Sequence, residues 1–235
     1  TGYVLEKTEN LPLTITAVEA KNVIKVYYKK NTFNLTIHYV YEEDGAQAQP
    51  DYTKDVDFGE SYSVNTPTIE GYVADQNVVE GSMPANDVEV TVKYSKRSDL
   101  SYTVHYYWNG TTTSVKEDKT VGGQTYLDEI TESPDNTIDG YTAVSQDSQT
   151  ITIGTGTNEI IFYYYKNVKL IANSATETYD GTKKSVKGFT GAPADADFSA
   201  IKVGAEGIDA GKYDAKFEEG TVGTVDATKK YIVSE

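Results

Sequence analysis

The sequence feature that most constrains the fold is an internal repeat, because copies of one unit must all fold in the same way. Leu35-Thr36-Ile37-His38-Tyr39 recurs 67 positions later as Tyr102-Thr103-Val104-His105-Tyr106. Further matches follow in the same order: Gly59-Glu60-Ser61-Tyr62 with Gly123-Gln124-Thr125-Tyr126, Thr66-Pro67 with Ser133-Pro134, and Ile69-Glu70-Gly71-Tyr72 with Ile138-Asp139-Gly140-Tyr141. We therefore predict two complete copies, residues 31–98 and 99–167.

The N-terminus repeats only the second half of this unit. Each complete copy closes on an alternating segment that ends in Tyr and Lys, at residues 90–96 and 160–166, and residues 23–29 have the same pattern after Gly2-Tyr3. Residues 1–30 are thus predicted to be the C-terminal half of a further copy. Short joins such as Lys30-Asn31-Thr32 allow little flexibility between successive copies, which favours a semi-rigid rod.

Within each copy, apolar and polar residues alternate as in strands with one wet face. Val88, Val90, Val92 and Tyr94 share one face of the closing strand. Asp44-Gly45 and Asn109-Gly110 follow the opening strands, and both dipeptides favour a type I′ hairpin turn, which needs positive φ at both residues. Apolar residues do not recur at helical spacing, so the sequence predicts a mainly β chain of small tandem domains.

Charge and composition exclude several kinds of partner. A net charge of −15 repels phosphate groups, so we expect no nucleic-acid partner. The chain has no Cys, which excludes disulfides and thiolate metal sites. It also lacks an apolar run of about 18 residues, so this fragment is not expected to insert into a membrane.

Residues 168–235 differ from the repeats, since segments such as Tyr179-Asp180-Gly181-Thr182 and Gly207–Asp214 have no counterpart in them. Dense Gly and Ala and short predicted strands favour a small β-sandwich-like domain with many turns. Only the start of a closing strand follows at Tyr231-Ile232-Val233. We therefore expect this domain to be truncated.

The repeated pattern resembles a known family. The pattern consists, in order, of an opening Thr-x-His-Tyr strand, a Gly-x-x-Tyr, a Gly-Tyr after Pro and a closing Val-x-Val-x-Tyr strand. This order of motifs is similar to that of the MucBP (mucin-binding protein) repeats of Gram-positive cell-surface adhesins. This resemblance covers residues 1–166 and implies a β-grasp-like, ubiquitin-like fold, a place on the bacterial cell wall and, in some members, adhesion to mucin glycans. Residues 168–235 resemble the bacterial Ig-like domains with a Tyr-Asp-Gly motif that accompany such repeats.

Candidate chemical sites are few. His38 and His105 occupy equivalent strand positions and are interpreted as solvent-facing residues, because a local metal motif needs closely spaced ligands. Glu42-Glu43-Asp44 and Glu117-Asp118 could supply calcium ligands, but a solvated hairpin explains them better. The sequence has no catalytic motif, so we predict no catalytic residues, no cofactor and no metal site.

Trp108 is the candidate residue for ligand binding. An exposed indole face can stack on a sugar ring, and the alternative is packing against a neighbouring domain. Tyr163 and Tyr165 pose the same question, because apolar residues occupy both faces of their strand. We expect Tyr163→Ser to loosen the junction near residue 167. The sequence leaves Lys-Asn isopeptide cross-links open.

Three functions are compatible with the sequence. The first is a non-enzymatic stalk of a cell-wall-anchored adhesin, extracellular and monomeric, that projects an adhesive tip. The second is a module that binds mucin or other host glycans or glycoproteins by multivalent weak contacts. The third is a glycosidase fragment, which needs paired carboxylates in a cleft. Small β-domains offer no obvious cleft, so we predict that the chain is not an enzyme.

Overall fold

The computed structural model describes residues 1–235, which form two compact units, Thr1–Ser98 and Asp99–Glu235. Strands dominate both units, and the helical structure is a single 3-10 turn at Glu19–Lys21. The mainly β fold predicted from the sequence is thereby confirmed. No helix has the length and apolar character that crossing a bilayer requires.

The first unit begins with a hairpin and continues with a four-stranded sheet. Strands β1 (Tyr3–Glu9) and β2 (Lys25–Lys30) pair antiparallel. The sheet has the order β4-β3-β8-β6, from strands β3 (Thr32–Tyr41), β4 (Gln47–Asp57), β6 (Tyr72–Ala74) and β8 (Val88–Lys96). A separate two-stranded sheet contains β5 (Ser61–Asn65) and β7 (Val78–Ser82).

The core of this unit lies between the two sheets. Leu35 and Ile37 of β3 and Val92 and Tyr94 of β8 are buried on the inner face of the larger sheet, as the alternation of apolar residues predicted. Val79 of β7 packs against them from the smaller sheet. Complete burial of one such side chain contributes about 1.5–3 kcal/mol, so this face accounts for much of the unit's stability.

The second unit repeats this arrangement. Its sheet has the order β10-β9-β14-β12, from strands β9 (Leu100–Trp108), β10 (Lys119–Gln124), β12 (Tyr141–Ala143) and β14 (Glu159–Val168). Strands β11 (Glu129–Glu132) and β13 (Gln149–Thr152) form the small covering sheet. In both copies the first and last strands are parallel neighbours at the centre of the larger sheet.

The C-terminal region has short strands and a small core of its own. It contains β15 (Ile171–Ala172), β16 (Lys184–Lys187), β17 (Phe189–Thr190), β18 (Val203–Gly207), β19 (Lys216–Phe217) and β20 (Tyr231–Val233). β15 pairs with β17, β18 lies between β16 and β19, and β20 joins the end of β14. An Ig-like sandwich has about seven strands in two packed sheets, and the Ig-like assignment stays a prediction.

The hairpin turns differ from the sequence prediction. Tyr41 donates to the Ala46 carbonyl at 2.8 Å, so the loop contains the four residues 42–45, and Gly45 is at φ 72°. Trp108 and Thr113 are paired in the same way around Gly110. Asp44 and Asn109 are not among the residues with positive φ. The hairpins exist, but the type I′ assignment was wrong, because a four-residue loop needs only one left-handed residue.

One match between the copies was also wrong. The Gly59 N–H donates to the Met83 carbonyl at 2.8 Å, and in the second copy the Leu127 N–H makes the corresponding bond to Ile153 at 2.9 Å. Gly59 is therefore equivalent to Leu127 and not to Gly123, which lies in a bulge of β10. Both residues occupy the left-handed region, with φ of 74° and 70°. The sequence concealed this equivalence because Leu stands where the turn favours Gly.

Candidate binding surface

The outer face of the second copy's sheet has a row of aromatic side chains. Strand alternation directs Tyr106 of β9 and Tyr164 of β14 into the core, so their neighbours Tyr107 and Tyr163 lie on the opposite face. Tyr163 is 41% exposed, and Tyr165 and Tyr107 are half-buried. We call His105, Tyr107, Tyr163 and Tyr165 the outer aromatic face.

Three rings of this face lie next to one another, two along β9 and one across from them on β14. His105 stacks on Tyr107 with ring centroids 5.5 Å apart and planes 13° apart, and Tyr107 lies 6.4 Å from Tyr163. Adjacent aromatic rings on neighbouring strands stabilise each other beyond their burial. The result is an ordered aromatic surface that lies partly open to water.

Two carboxylates flank His105, and one of them lies within hydrogen-bond distance of the ring. Its Nδ1 lies 2.8 Å from Asp118 Oδ2 and its Nε2 lies 3.6 Å from Glu159 Oε1. In the first copy, His38 makes the equivalent contact with Asp51 at 2.8 Å. Both histidines lie on the outer face, but only His38 is well exposed to solvent, at 38%, whereas the His105 side chain is 15% exposed. Each has a carboxylate partner that the sequence analysis missed. The signal was present, because each Asp follows its His by 13 residues.

The first copy has the same backbone but a different outer face. Pairing of the opening and closing strands makes Val40 equivalent to Tyr107, Lys93 to Tyr163 and Ser95 to Tyr165. The inner-face residues remain apolar in both copies. The aromatic surface is thus a property of the second copy alone, which indicates that the common fold does not require it.

Trp108 lies at the junction with the C-terminal region. Its Nε1 donates to the Lys230 carbonyl at 2.8 Å, and its ring meets that of Tyr231 edge-on at 5.5 Å. The Lys230 ammonium lies 5.6 Å from the centre of the indole ring. This is the interdomain packing considered as the alternative to sugar binding. Sugar stacking on Trp108 stays a prediction and requires this contact to open.

The backbone continues the same junction. The last residues of β14, Lys166 to Val168, pair in parallel with Tyr231 to Val233 of β20. Asn109 Nδ2 also donates to the Lys229 carbonyl at 2.7 Å. The sequence predicted that Tyr163 contributes to this junction, but Tyr163 lies beside Tyr107 on the outer face. Trp108, Asn109 and the edge of β14 form the junction instead. β20 pairs with the edge of β14 in the plane of the sheet, so the contact is made through the strand edge and not through the outer face of the sheet.

A buried carboxylate organises the loop that presents these carbonyls. Asp226 is 2% exposed, and its two oxygens accept hydrogen bonds from the backbone N–H groups of Asp197, Thr228, Lys230 and Tyr231 and from the Thr228 hydroxyl. Burial alone would raise the pKa of Asp226, but these hydrogen bonds outweigh it and lower the pKa to about 2. Asp226 therefore fixes the position of the Lys229 and Lys230 carbonyls.

The acidic and histidine side chains do not assemble a metal centre. No group of three or more His, Asp or Glu side chains is placed to hold a metal ion. Glu42, Glu43 and Asp44 lie around the exposed hairpin loop, where Glu43 pairs with Lys96 at 3.0 Å and Asp44 accepts from the Ala46 N–H at 2.9 Å. The acidic cluster is thus part of the hairpin.

Comparisons with known proteins identify one of the copies. Residues 34–95 match the family model described as the MucBP domain. A comparison with curated protein sequences gives no significant match.

Among solved structures, the chain is similar to the Bacillus anthracis TIE protein, with 10% identity and a TM-score of 0.38 over 90% of this chain and 53% of that one. It is also similar to the type 2 repeat of the mucus binding protein MUB from Lactobacillus reuteri, with 15% identity and a TM-score of 0.22 over 57% of this chain and 98% of that one. Streptococcal High Identity Repeats in Tandem domains 3-4 from a cell surface protein give 13% identity and a TM-score of 0.25 over 56% and 96%. This chain spans about half the length of the TIE protein chain. Residues 34–95, which run from within β3 to within β8, are the part of the chain that matches this family model, and we call them the MucBP domain.

Proposed function

We propose that this chain is the non-enzymatic repeat region of a bacterial cell-wall-associated adhesin, where it acts as a stalk that projects an adhesive tip. The observation that supports this most is the in-register duplication of one module. Tyr72 pairs with Lys96 in the MucBP domain, Tyr141 with Lys166 in the second copy, and Tyr3 with Lys30 in the N-terminal half copy. Modules repeated in series with such short joins lengthen the protein and do not combine to build a single binding site.

The stalk function predicts that reach increases with the number of folded copies. An additional copy of residues 31–98 inserted into the wall-displayed protein should move an epitope at Thr1 farther from the cell surface, as measured by immunogold electron microscopy. The matched control is the same insertion with Ile37→Asp in the added copy, because a charge in the centre of the core prevents folding. An epitope that stays in place when the added copy folds would refute the stalk function.

The second candidate function is binding of mucin or another host glycan, and the outer aromatic face supports it. Tyrosine rings present flat apolar surfaces with polar hydroxyls, which suits contact with the C–H face of a sugar. The net charge of −15 opposes sialylated or sulfated glycans, so a neutral sugar is the ligand class that this surface favours.

An exchange between the two copies tests this candidate. In the full chain, Tyr107→Val with Tyr163→Lys gives the second copy the residues of the first, and Val40→Tyr with Lys93→Tyr does the reverse. A glycan array should lose binding with the first variant and keep or increase it with the second. A third variant, Trp108→Ala, tests the sequence-based candidate. Unchanged array binding in the Tyr107→Val and Tyr163→Lys variant would eliminate the outer aromatic face as the site.

A further inference from the structure

The three folded parts of the chain share one topological feature. In each complete copy the strand through which the chain enters and the strand through which it leaves are parallel neighbours, and the C-terminal region ends on β20, which pairs in parallel with the end of β14, the strand that leads into it. β3 and β8 pair over seven residues, from Leu35 with Val88 to Tyr41 with Tyr94. β9 and β14 pair over six residues, and β14 and β20 over three. We call these three the terminal strand pairs.

Parallel terminal strands determine how a tensile force acts on the fold. Tension on the chain pulls the first strand toward its N-terminus and the last strand toward its C-terminus. In a parallel pair these forces are opposite and run along the strands, while the hydrogen bonds run across them. All the bonds of the pair are therefore loaded together, and the pair must slide as a whole before it separates.

The N-terminal hairpin is loaded in the other way. β1 and β2 are antiparallel, and Tyr3 pairs with Lys30 at the open end of the hairpin. Tension on these two residues pulls the strands apart from one end, so the hydrogen bonds break one after another. The chain thus contains both loading geometries, and the parallel one occurs in every part that has a core.

The cores reinforce the terminal pairs. Leu35, Ile37, Val92 and Tyr94 are fully buried beneath the β3–β8 pair, and the Tyr94 hydroxyl donates to the Pro67 carbonyl at 2.6 Å. The pairing also continues beyond the strands, where the Glu42 N–H donates to the Tyr94 carbonyl at 2.9 Å and the Asn109 N–H to the Tyr164 carbonyl at 2.8 Å. Sliding of either pair would expose buried apolar area as well as break hydrogen bonds.

We infer that the chain has a load-bearing function, in which the three terminal strand pairs resist tension along the polypeptide. The biological meaning of this inference rests on the stalk function proposed above, because a stalk transmits the force between the tip and the wall. The mechanical property itself is independent of that function and can be measured on the isolated chain.

Pulling geometry tests the inference directly, because the chain has no Cys and introduced thiols define where force is applied. In the full chain, Lys30→Cys with Ser98→Cys loads the β3–β8 pair along its strands. Lys30→Cys with Asn86→Cys loads the same pair from one end, since residue 86 precedes β8. We expect the first variant to rupture at a several-fold higher force in single-molecule pulling at equal loading rate.

A second pair of variants repeats the comparison in the second copy, so that a local defect caused by the thiols in one copy cannot explain the result. Ser98→Cys with Lys166→Cys loads β9–β14 along the strands, and Ser98→Cys with Thr157→Cys loads it from one end. Equal melting temperatures of the four variants would show that the handles leave the fold intact. Equal rupture forces for the two geometries in both copies would overturn the load-bearing function. Such a result would not contradict the stalk function, because the stalk function is tested separately by the distance of the epitope from the cell surface.

Discussion

At the residue scale, the two copies differ in which residue occupies one turn position of positive φ. Gly59 and Leu127 form the same turn at positive φ, but only glycine adopts this conformation without a steric penalty. A left-handed conformation costs an L-residue about 1–2 kcal/mol, and the Leu127 side chain is exposed and gains little burial in return. The second copy is therefore strained at a position where the first is not.

The reciprocal exchange at this turn should change stability in opposite directions. Leu127→Gly is expected to increase the free energy of unfolding of the second copy by about 0.5–1 kcal/mol, because the relief of strain exceeds the added entropy of the unfolded chain. Gly59→Leu should decrease that of the MucBP domain by about 1 kcal/mol. Urea denaturation monitored by Trp108 fluorescence measures the first and circular dichroism the second. Destabilisation by Leu127→Gly would contradict the equivalence of the two residues.

Asp226 is the other residue whose role emerges from its surroundings. Asp226→Asn should decrease the free energy of unfolding of the C-terminal region by about 2–3 kcal/mol, since the amide NH₂ would face backbone donors that now meet a carboxylate oxygen. Because Trp108 is the sole tryptophan and lies against the loop that Asp226 organises, its fluorescence reports the transition. Asp209→Asn removes an exposed carboxylate from the same region and should have little effect.

The pH dependence of stability follows from the same carboxylate. The pKa of Asp226 is lowered in the folded chain, so its ionised form stabilises the fold at every pH above its unfolded value of 3.8. This contribution, about 2 kcal/mol, is lost as the pH falls from about 4 through the folded value of about 2. The difference in unfolding free energy between wild type and Asp226→Asn should therefore shrink over that range. A constant difference would show that ionisation of Asp226 does not stabilise the fold.

At the element scale, β1 and β2 look like the closing half of a repeat without its opening half. The closing strand of the MucBP domain buries Val92 and Tyr94, whereas the equivalent Val26 and Tyr28 of β2 are 47% and 62% exposed. In both complete copies the opening strand pairs in parallel with the closing strand, and in β2 that edge has no strand beside it. We propose that residues 1–30 are the second half of a repeat of this type, whose opening strand would pair along this edge of β2.

Restoring the missing half tests this proposal. Fusion of a second copy of residues 32–70 ahead of Gly2 should bury Val26 and Tyr28 and slow amide hydrogen exchange in β2 by on the order of tenfold or more. The control fusion has Ile37→Asp in the added segment, which places a charge in the rebuilt core. Equal exchange rates in β2 for the two fusions would show that the hairpin is not a half copy.

Strand patterns were the part of the fold that the sequence predicted well. Alternation identified the inner faces of β3 and β8, because strand geometry places every second side chain on the same face. The turn type and the Gly59 equivalence were wrong, because loop length depends on which residues pair across the hairpin. The outer aromatic face could have been recognised by comparing the two copies position by position.

At the scale of the whole molecule, the C-terminal region is joined to the second copy by a shared strand. β14 pairs with β9 inside the repeat and with β20 beyond it, and Trp108 covers the point where the two pairings meet. Its ring belongs to the set packed against the C-terminal core. The two regions should therefore unfold as coupled parts.

Loss of the indole contact should weaken this coupling. Trp108→Phe keeps an aromatic ring but removes the hydrogen bond to the Lys230 carbonyl, so we expect the C-terminal region to lose about 1–2 kcal/mol of stability. Differential scanning calorimetry should show its transition move to lower temperature. Tyr163→Ser, on the outer face of the same sheet, should leave that transition in place. A larger shift with Tyr163→Ser than with Trp108→Phe would restore the sequence-based view of the junction.

The sequence alone determined that the chain is built from repeated β-modules and which residues of the first complete copy face its core. These properties follow from local periodicity and from duplication, and both can be recognised in the sequence without knowledge of long-range contacts. Only the tertiary structure decided that Trp108 bonds to a residue 122 positions away, that Asp226 organises that contact, and that the terminal strands are parallel neighbours. Such contacts depend on how whole sheets pack, and the same local pattern is compatible with several strand pairings.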